Sequence, residues 1–336
     1  MAKTGTLAVV GSETLLGREI RDLVSTTEPS LELKLIAADD EEPGRLTEQS
    51  GEPVVLSGLD EDALENARIV FLTGSPESSR KALELSSHLP SADFRIIDLT
   101  YAAEENPRAR LRAPIVEPDD FRVPADALHV IAHPAAVAIS MLLERVHTAF
   151  AIRRSVVHIF EPASERGAGG LEELQQQTVN LLSFKSVPKR IFDAQLSFNL
   201  LARYGEDAPF TLEQIEQRIE RHAATLLALQ SAAPPMPSLK LLQAPVFHGY
   251  SFSIWVEVDG SATSVDLEEA IEGDGISVHQ AEFDPPNPVG VAGESGISVG
   301  AVAPDRNVAQ AFWLWMAVDN IRMAAENALQ VARQLV

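Results

Sequence analysis

Apolar residues in the first half of the chain form short runs separated by segments with helical spacing. The run from Thr6 to Val10 is strand-like. In the segment GSETLLGREIRDLV, which follows it, the residues at helical spacing are Leu15, Leu16, Ile20 and Leu23. The alternation continues through LELKLIAADD, ARIVFLTG, SSRKALELSSHL and FRIIDLT. Strands separated by helices predict parallel strands with right-handed crossovers, which is a doubly wound α/β sheet.

The second half of the chain has a different pattern. RRSVVHIFEP is strand-like, ERGAGGLEELQQQTVNLL is a glycine-rich entry into a helix, and FTLEQIEQRIERHAATLLALQ is helical with Thr211 as its predicted N-cap. LKLLQAPVFHGYSFSIWVEV alternates apolar and polar residues in the manner of one half-buried antiparallel strand. The segment NVAQAFWLWMAVDNIRMAAENALQVARQLV runs from a strand-like stretch into a helix. This half therefore predicts a separate α+β domain.

The turn after the first strand raises the question of a dinucleotide cofactor. Glycines at such a turn let the backbone approach a pyrophosphate at the N-terminus of the following helix. Gly11 and Gly17 are present, but Thr14 stands where a G-x-x-G-x-x-G pattern has its middle glycine. Glu13 adds a carboxylate that would repel a pyrophosphate. A turn that binds no nucleotide is therefore an equal alternative.

Four acidic residues follow the second predicted strand, in AADDEEPGR. A cofactor with a 2′-phosphate needs positive or neutral groups there, so this run disfavours NADP. Asp39 is a candidate acceptor for the ribose hydroxyls of NAD. The alternative interpretation is a solvated acidic loop, which is the more frequent role of such a run.

Composition and charge exclude several classes of function. A length of 336 residues favours two domains, and 45% hydrophobic residues suffice for their cores. The net charge of −22 argues against nucleic acid or an anionic membrane as a partner. The sequence also shows neither a secretion signal nor a long uncharged apolar span, so we expect a soluble, cytoplasmic protein. The chain has no cysteine, which excludes disulfides, thiolate metal sites and every cysteine-based mechanism, and no metal site is predicted.

Six segments follow one another along the chain: GSETLLGREI, IIDLTYAAEENP, IAHPAAVAIS, FEPASERGAGGLEEL, APVFHGYSFSIWVEV and VDNIRMAAENALQVA. In this order they resemble the aspartate-β-semialdehyde dehydrogenase family over nearly the whole chain. The last segment is the most similar. The family's D-N-x-x-x-G-A-A-x-N-A-V-Q pattern is matched there by Asp319, Asn320, Ala325, Asn327, Ala328 and Gln330.

The resemblance implies a fold and an assembly. A Rossmann-type NAD(P)-binding domain is expected over residues 1–133, completed by a C-terminal helix over residues 312–336. An α+β domain with an open mixed sheet is expected over residues 134–311, and a homodimer is expected to form through that sheet. NAD and NADP both stay open as cofactors, with neither assigned. The candidate cofactor-binding positions are Gly11, Thr14, Gly17, Asp39, Gly74 and Asn320.

The resemblance also implies a reaction in amino-acid biosynthesis. The family interconverts an acyl phosphate, aspartyl phosphate, and an aldehyde, aspartate semialdehyde, through a cysteine thioester and hydride transfer with NADP. The nucleophile lies in a motif like N-P-x-C, which reads His133, Pro134, Ala135, Ala136 in this sequence. A methyl group cannot form a thioester. The sequence thus resembles a paralogue without the catalytic cysteine.

Four further family positions are changed. The acid/base histidine of G-H-S is Tyr250, and the substrate-binding arginine of R-x-P-V is Gln243. The glutamine that orients the thioester aligns with Glu161, and a phosphate-binding arginine aligns with Glu104. Together with Ala136, no catalytic position of the family is intact. Residual family activity is therefore expected to be negligible.

Three hypotheses about function follow. The first is a pseudoenzyme that acts as a dimeric binding, regulatory or scaffold protein with a small-molecule or protein partner. The second is an oxidoreductase with altered acid/base chemistry that uses Tyr250, His248 or Glu161, where His248 shares a strand face with Tyr250. A structural role for both rings is the more common case. The third is ancestry alone, in which the family's name does not describe the chemistry of this chain.

Overall fold

A computed structural model describes residues 6–38, 41–65, 67–89 and 94–335 of the chain. The chain forms two compact units. The first unit consists of residues 1–132 and 324–336, and the second unit of residues 133–323. Within the described ranges, no helix is both long and apolar enough to cross a membrane.

The first unit contains a six-stranded parallel sheet and a separate antiparallel hairpin. Its strands are β1 (Thr6–Val10), β2 (Glu32–Ile36), β3 (Leu46–Gln49), β4 (Glu52–Val55), β5 (Ala67–Leu72), β6 (Arg95–Asp98), β7 (Ala109–Arg112) and β8 (Leu128–Ile131). Its helices are α1 (Leu15–Thr27), α2 (Glu61–Leu64) and α3 (Pro76–His88). The sheet order is β2-β1-β5-β6-β8-β7, and β3 pairs with β4. The predicted doubly wound parallel sheet is thus confirmed.

Both faces of the parallel sheet are buried. Leu7 and Val9 of β1 pack in one apolar cluster, together with residues of α1 and the C-terminal helix such as Leu329. Ala8 and Val10 point to the other face and join a cluster with residues of α2 and α3. Because parallel strands with helices on both faces need apolar residues in succession, β1 reads as a continuous apolar run.

The second unit contains a six-stranded mixed sheet in the order β10-β9-β11-β14-β13-β12. Its strands are β9 (Ile152–Glu161), β10 (Ser238–Gln243), β11 (Tyr250–Val258), β12 (Ile276–His279), β13 (Ile297–Pro304) and β14 (Ala311–Val318). Its helices are α4 (Pro134–Ala149), α5 (Gly167–Leu182), α6 (Leu212–Leu227) and α7 (Ser264–Ile271). A last helix, α8 (Asn320–Leu335), begins in this unit and contributes residues from 324 onward to the first unit. The open mixed sheet is as predicted, and so is the N-cap of α6, where Thr211 accepts a hydrogen bond from the N–H of Gln214.

Two sequence-based assignments in this region were wrong. The C-terminal helix does not begin at residue 312, because Ala311–Val318 is a strand that pairs with β11, and the helix begins at Asn320. The alternating burial of this strand satisfies a period of two, which overrides helical propensity. Residues 239–258 are not one antiparallel strand either. They contain β10, which is parallel to β9, and β11, which is antiparallel to it, separated by a turn in which Gly249 has φ +82°.

Helix α5 holds the segment that leads to the candidate site. The buried carboxylate of Glu173 accepts hydrogen bonds from the N–H groups of Arg190, Ile191 and Phe192, at 2.6, 2.7 and 3.2 Å. One turn later, Gln177 accepts the N–H groups of residues 196 and 197 and donates to the carbonyls of residues 188 and 194. Two side chains of one helix thus fix the path of a long irregular segment.

We predict that Glu173→Ala destabilises the protein strongly, because three backbone N–H groups, that of Phe192 buried, lose their acceptor. The expected loss is about 3 kcal/mol of unfolding free energy. Urea unfolding followed by circular dichroism measures it. Glu172→Ala, at an exposed position of the same helix, is the matched control and should change little. Equal losses of unfolding free energy in the two variants would contradict a stabilising role of the Glu173 carboxylate as a hydrogen-bond acceptor.

Candidate functional site

Ala136, to which the resemblance assigns the nucleophile's position, lies in the first turn of helix α4. His133 is the N-cap residue, and its Nδ1 accepts the N–H of Ala135 at 3.3 Å. Pro134 fits the first helical turn because its missing N–H needs no partner there. Ala136 is completely buried and presents only a methyl group. Among residues 133–136, His133 is the one whose side chain has polar atoms.

Glu161 is the centre of a buried polar cluster in the second unit. Its side chain is fully buried at the end of β9, and Arg166 Nη2 donates to its Oε1 at 2.8 Å. The hydroxyls of Tyr204 and Tyr250 lie 3.4 Å from Oε1 and Oε2 respectively. Because a buried carboxylate needs a counter-charge and donors, this arrangement keeps Glu161 in place.

Gln243 belongs to the same cluster, and its amide group is fully engaged. Its Oε1 accepts the hydroxyl of Tyr204 at 2.6 Å. Its Nε2 donates to the carbonyls of Glu161 and Ala244, at 2.8 and 3.1 Å. An amide nitrogen has two N–H donors, so none is left for a ligand.

Glu165 adds a second carboxylate to the cluster. Its Oε1 accepts Asn320 Nδ2 at 2.8 Å, and its Oε2 lies 3.8 Å from His133 Nε2. Burial, reinforced by the charge of Glu161, raises the pKa of Glu165 to about 7, although Arg166 acts in the opposite direction. Glu161 and Glu165 share the single guanidinium of Arg166. When Glu165 binds a proton, one negative charge remains to pair with one positive charge.

Arg166 and Tyr204 are also shifted in their ionisation. Burial alone would lower the pKa of Arg166, but Glu161 and the other neighbouring groups raise it above its ordinary value. Burial and then the charge of Glu161 raise the pKa of Tyr204. Arg166 therefore stays cationic and Tyr204 stays a neutral hydrogen-bond donor. The buried Nε of Arg166 has no hydrogen-bond partner, and the guanidinium lies 5.4 Å from the ring centre of Phe210.

The structure brings together some of the predicted site residues and separates others. Glu161, Gln243 and Tyr250 share one hydrogen-bonded cluster, and Tyr250 also packs edge-on against His133, with ring centres 6.1 Å apart. Glu104 lies in the first unit, in a turn that follows β6. It is half-buried there.

His248 does not have the geometry assumed for a displaced base. Strand β11 begins only at Tyr250, and Gly249 between the two residues has φ +82°. The expectation that His248 and Tyr250 share one strand face is therefore wrong, because the intervening backbone is not extended.

The β1–α1 turn carries three of the six candidate cofactor positions, and a fourth, Gly74, packs against it. A Cβ on Gly11 would lie 2.4 Å from the Cα of Gly74, and one on Gly17 would lie 2.1 Å from the carbonyl oxygen of Gly11. Thr14 is the N-cap of α1: its Oγ1 accepts the N–H of Gly17 at 3.0 Å and donates to the carbonyls of Gly11 and Thr73. The chain's own packing thus accounts for these residue types.

Two other candidate cofactor positions do not belong to this turn in sequence. Asn320 is buried. Its side-chain amide forms hydrogen bonds with the hydroxyl of Ser164, the carboxylate of Glu165 and the N–H of Gly249. Asp39 lies outside the described residues. Among the residues that the structure does describe, no group of three or more histidine or acidic side chains could hold a metal ion.

Several residues of the cluster were missed by sequence reasoning. Glu165 and Arg166 stand side by side just before the glycine-rich start of α5, and such an adjacent charge pair next to an aligned site position was an available signal. No local sequence pattern indicated Tyr204, because it is 43 residues away from Glu161 along the chain. His133 was aligned with the family motif but was given no role.

The two units define a class of protein, a two-domain α/β dehydrogenase fold with a doubly wound parallel sheet and a mixed sheet. Residues 143–323 match the family described as "Semialdehyde dehydrogenase, dimerisation domain". The chain therefore belongs to the semialdehyde dehydrogenase family.

Individual relatives cover the full length of the chain. The aspartate-semialdehyde dehydrogenase of Rickettsia bellii is 24% identical over 100% of this chain and 99% of its own. The USG-1 protein homolog of Azotobacter vinelandii is 29% identical over 98% of this chain and 97% of its own. The structure of a probable aspartate-semialdehyde dehydrogenase from Pseudomonas aeruginosa aligns with a TM-score of 0.84, at 24% identity, over 99% of this chain and 98% of that one. This structural likeness supports the fold.

We predict that the effect of Glu165→Gln on stability depends on pH. Since the folded-state pKa is raised from 4.5 to about 7, the contribution of Glu165 to stability is present below pH 4.5 and is lost as the pH rises to about 7. Gln cannot ionise. The free energy of unfolding of the variant should therefore match that of the wild type at pH 5 and exceed it at pH 8 by on the order of 2 kcal/mol.

Thermal unfolding midpoints at pH values between 5 and 8 measure this difference. Glu269→Gln, at an exposed position of α7, is the control and should show no pH-dependent difference. A stability difference between Glu165→Gln and the wild type that stays constant over this range would argue against a buried, proton-binding Glu165.

Proposed function

We propose that this chain is a member of the semialdehyde dehydrogenase family that does not catalyse the family's reaction and acts as a dimeric binding, regulatory or scaffold protein. The observation that carries the proposal is the methyl group of Ala136, buried at the start of α4 where the resemblance puts the nucleophilic thiol. The sequence holds no cysteine that could replace it. Thioester formation needs a thiolate, so the first covalent step has no reactant.

The remaining family positions support the same proposal. At Gln243 the guanidinium of the family's arginine is absent, and the amide that replaces it is satisfied by Tyr204 and two carbonyls. At Glu161 a carboxylate replaces a neutral amide and is paired with Arg166. The family's substrate carries a carboxylate or phosphate. Such an anion would have to be buried beside Glu161 and Glu165, where Arg166 is the guanidinium that pairs with them. The Coulomb repulsion in such a buried site is large.

The proposal includes a homodimer. One face of the mixed sheet carries all three tryptophans of the chain: Trp255 lies directly opposite Trp313, and Trp315 lies two residues further along the same strand. Trp313 is 39% exposed, whereas the residues that alternate with it are buried. Large aromatic surfaces of this kind are typical of protein interfaces. The matched family domain is itself described as a dimerisation domain.

A second candidate function is an oxidoreductase with different acid/base chemistry on the same fold. It is favoured by one observation: the hydroxyls of Tyr204 and Tyr250 each lie 3.4 Å from a carboxylate oxygen of Glu161, and Glu165 in the same cluster has a pKa of about 7. A carboxyl group that titrates near neutrality is suited to proton transfer. His248 does not belong to this cluster. The family's cofactor, NADP, would have to bind for such an activity.

We predict that the purified protein shows no phosphate-dependent conversion of aspartate semialdehyde, whether NAD or NADP is supplied. Loss of both nucleophile and general base typically lowers turnover by roughly 10⁶-fold, which is below detection. Ala136→Cys should stay inactive as well, because Glu161, Gln243 and Tyr250 remain. Ala138→Cys, two residues along the same helix, controls for non-specific thiol reactivity.

The assay uses protein made in a host that lacks its own enzyme. Phosphate-dependent turnover by the wild type would refute the proposal. An unrelated reduction of an aldehyde that is abolished in both Glu161→Gln and Tyr250→Phe, with the fold intact, would instead favour the second candidate function.

We further predict that the protein has twice the 36.4 kDa mass of one chain in solution at micromolar concentration. Trp313→Glu should shift it toward the monomer, because a charge would be buried without a partner in the interface. Light scattering coupled to gel filtration measures the mass. Val265→Glu, at a more exposed apolar position on α7, is the control and should remain dimeric. A wild type that elutes only as a monomer would contradict the assembly.

A further inference from the structure

We propose that the carboxylate of Glu41 occupies the anion-binding position of the β1–α1 turn and thereby keeps NAD and NADP from binding to this chain. Glu41 Oε1 accepts the N–H of Glu13, and its Oε2 accepts the N–H of Ala38, both at 3.0 Å. One side chain thus bridges the turn after β1 and the end of β2.

The location of the contact is what gives it functional meaning. In a doubly wound fold, the pyrophosphate of a dinucleotide is bound by backbone N–H groups at the turn between the first strand and the first helix. Glu13 belongs to that turn, directly before the N-cap Thr14. Ala38 follows β2, where an acidic side chain in such folds receives the ribose. A carboxylate is an anion with two acceptor oxygens, so Glu41 resembles a phosphate in both charge and hydrogen bonding.

Four other N–H groups at or near the turn are also engaged within the chain. Those of Gly11 and Ser12 donate to the carbonyl of Ile36, and that of Thr14 donates to the carbonyl of Gly11. The N–H of Gly17 donates to Thr14 Oγ1. A pyrophosphate bound at any of these N–H groups would have to displace an internal acceptor rather than water.

The glycines that suggest a nucleotide turn have an internal explanation. Gly11 has φ +87°, and its Cα faces the backbone of Gly74 so closely that a side chain would collide there. Gly17 packs against the carbonyl of Gly11 in the same way. Their presence is required by the meeting of β1, α1 and the end of β5, and it does not depend on a ligand.

The charges around the turn oppose a second anion. Desolvation acts to raise the pKa of Glu13, but hydrogen bonds from Thr47 and the charge of Arg21 outweigh it and lower the pKa below its usual value. Arg18 and Arg21 both pair with this carboxylate. The charges of these two guanidinium groups are balanced by the carboxylates of Glu13 and Glu41 together, so they leave no net positive charge at the turn for a further anion. The residues of this turn do not fit the cofactor that the fold family implies.

The experiment is calorimetric titration of the full-length protein with NADP and, separately, with NAD. The wild type should show no saturable binding up to about 1 mM, whereas Glu41→Ala should bind at least one of the two roughly tenfold more tightly than that limit. Glu42→Ala is the matched control. It removes the same charge from the adjacent exposed position without releasing the N–H of Glu13, so it should behave as the wild type.

Each other outcome overturns the inference. Micromolar binding by the wild type would mean that the turn is open to the cofactor. An equal gain in nucleotide affinity in Glu41→Ala and Glu42→Ala would assign the effect to net charge. No gain in affinity in Glu41→Ala would mean that Glu41 does not control the site. An inactive protein that binds NADP would refute this inference and leave the proposed function standing, because turnover and binding are measured separately.

Amide hydrogen exchange tests the contact itself without any nucleotide. The N–H of Glu13 should exchange faster in Glu41→Ala than in the wild type, because its acceptor is removed, and it should be unchanged in Glu42→Ala. The unfolding midpoints of the two variants, compared in the same samples, distinguish a local opening of the turn from general destabilisation. Unchanged exchange at Glu13 in a folded Glu41→Ala variant would also overturn the inference.

Discussion

The need to neutralise one buried carboxylate organises the candidate site. Glu161 lies at the end of β9 with no exposure to solvent, and a charge in that position persists only with a counter-charge and hydrogen-bond donors. Arg166 supplies the charge, while Tyr204 and Tyr250 supply hydroxyls. Removing any one of these partners would leave a buried charge uncompensated, so the residues of the cluster depend on one another.

Gln243 is part of the same arrangement, because its amide donates to the carbonyl of Glu161 and accepts the hydroxyl of Tyr204. Burial and the charge of Glu161 raise the pKa of Glu165 to about 7, so this carboxyl group binds a proton more readily than an exposed glutamate. The β1–α1 turn of the first unit follows the same principle, since Glu41 satisfies there the donors that a phosphate would otherwise satisfy.

Much of the fold could be predicted from the sequence, because period and burial agree along most elements. The apolar run of β1 and the N-cap at Thr211 read directly from local pattern. The direction of β10 did not, because strand pairing depends on partners far along the chain. The site shows the same limit: the methyl side chain of Ala136 is visible in one residue, whereas Tyr204 acquires its role only when the chain folds back onto β9.

Helix α8 has a consequence for how the protein is made. Its residues from 324 onward complete the apolar cluster around Leu7, Val9 and Phe71, although almost two hundred residues of the second unit separate them from β8. On the ribosome, the parallel sheet emerges long before the helix that covers this face. The nascent first unit must therefore carry an exposed apolar face throughout synthesis of the second unit, which makes it a natural client for chaperones until Ala325 and Leu329 arrive.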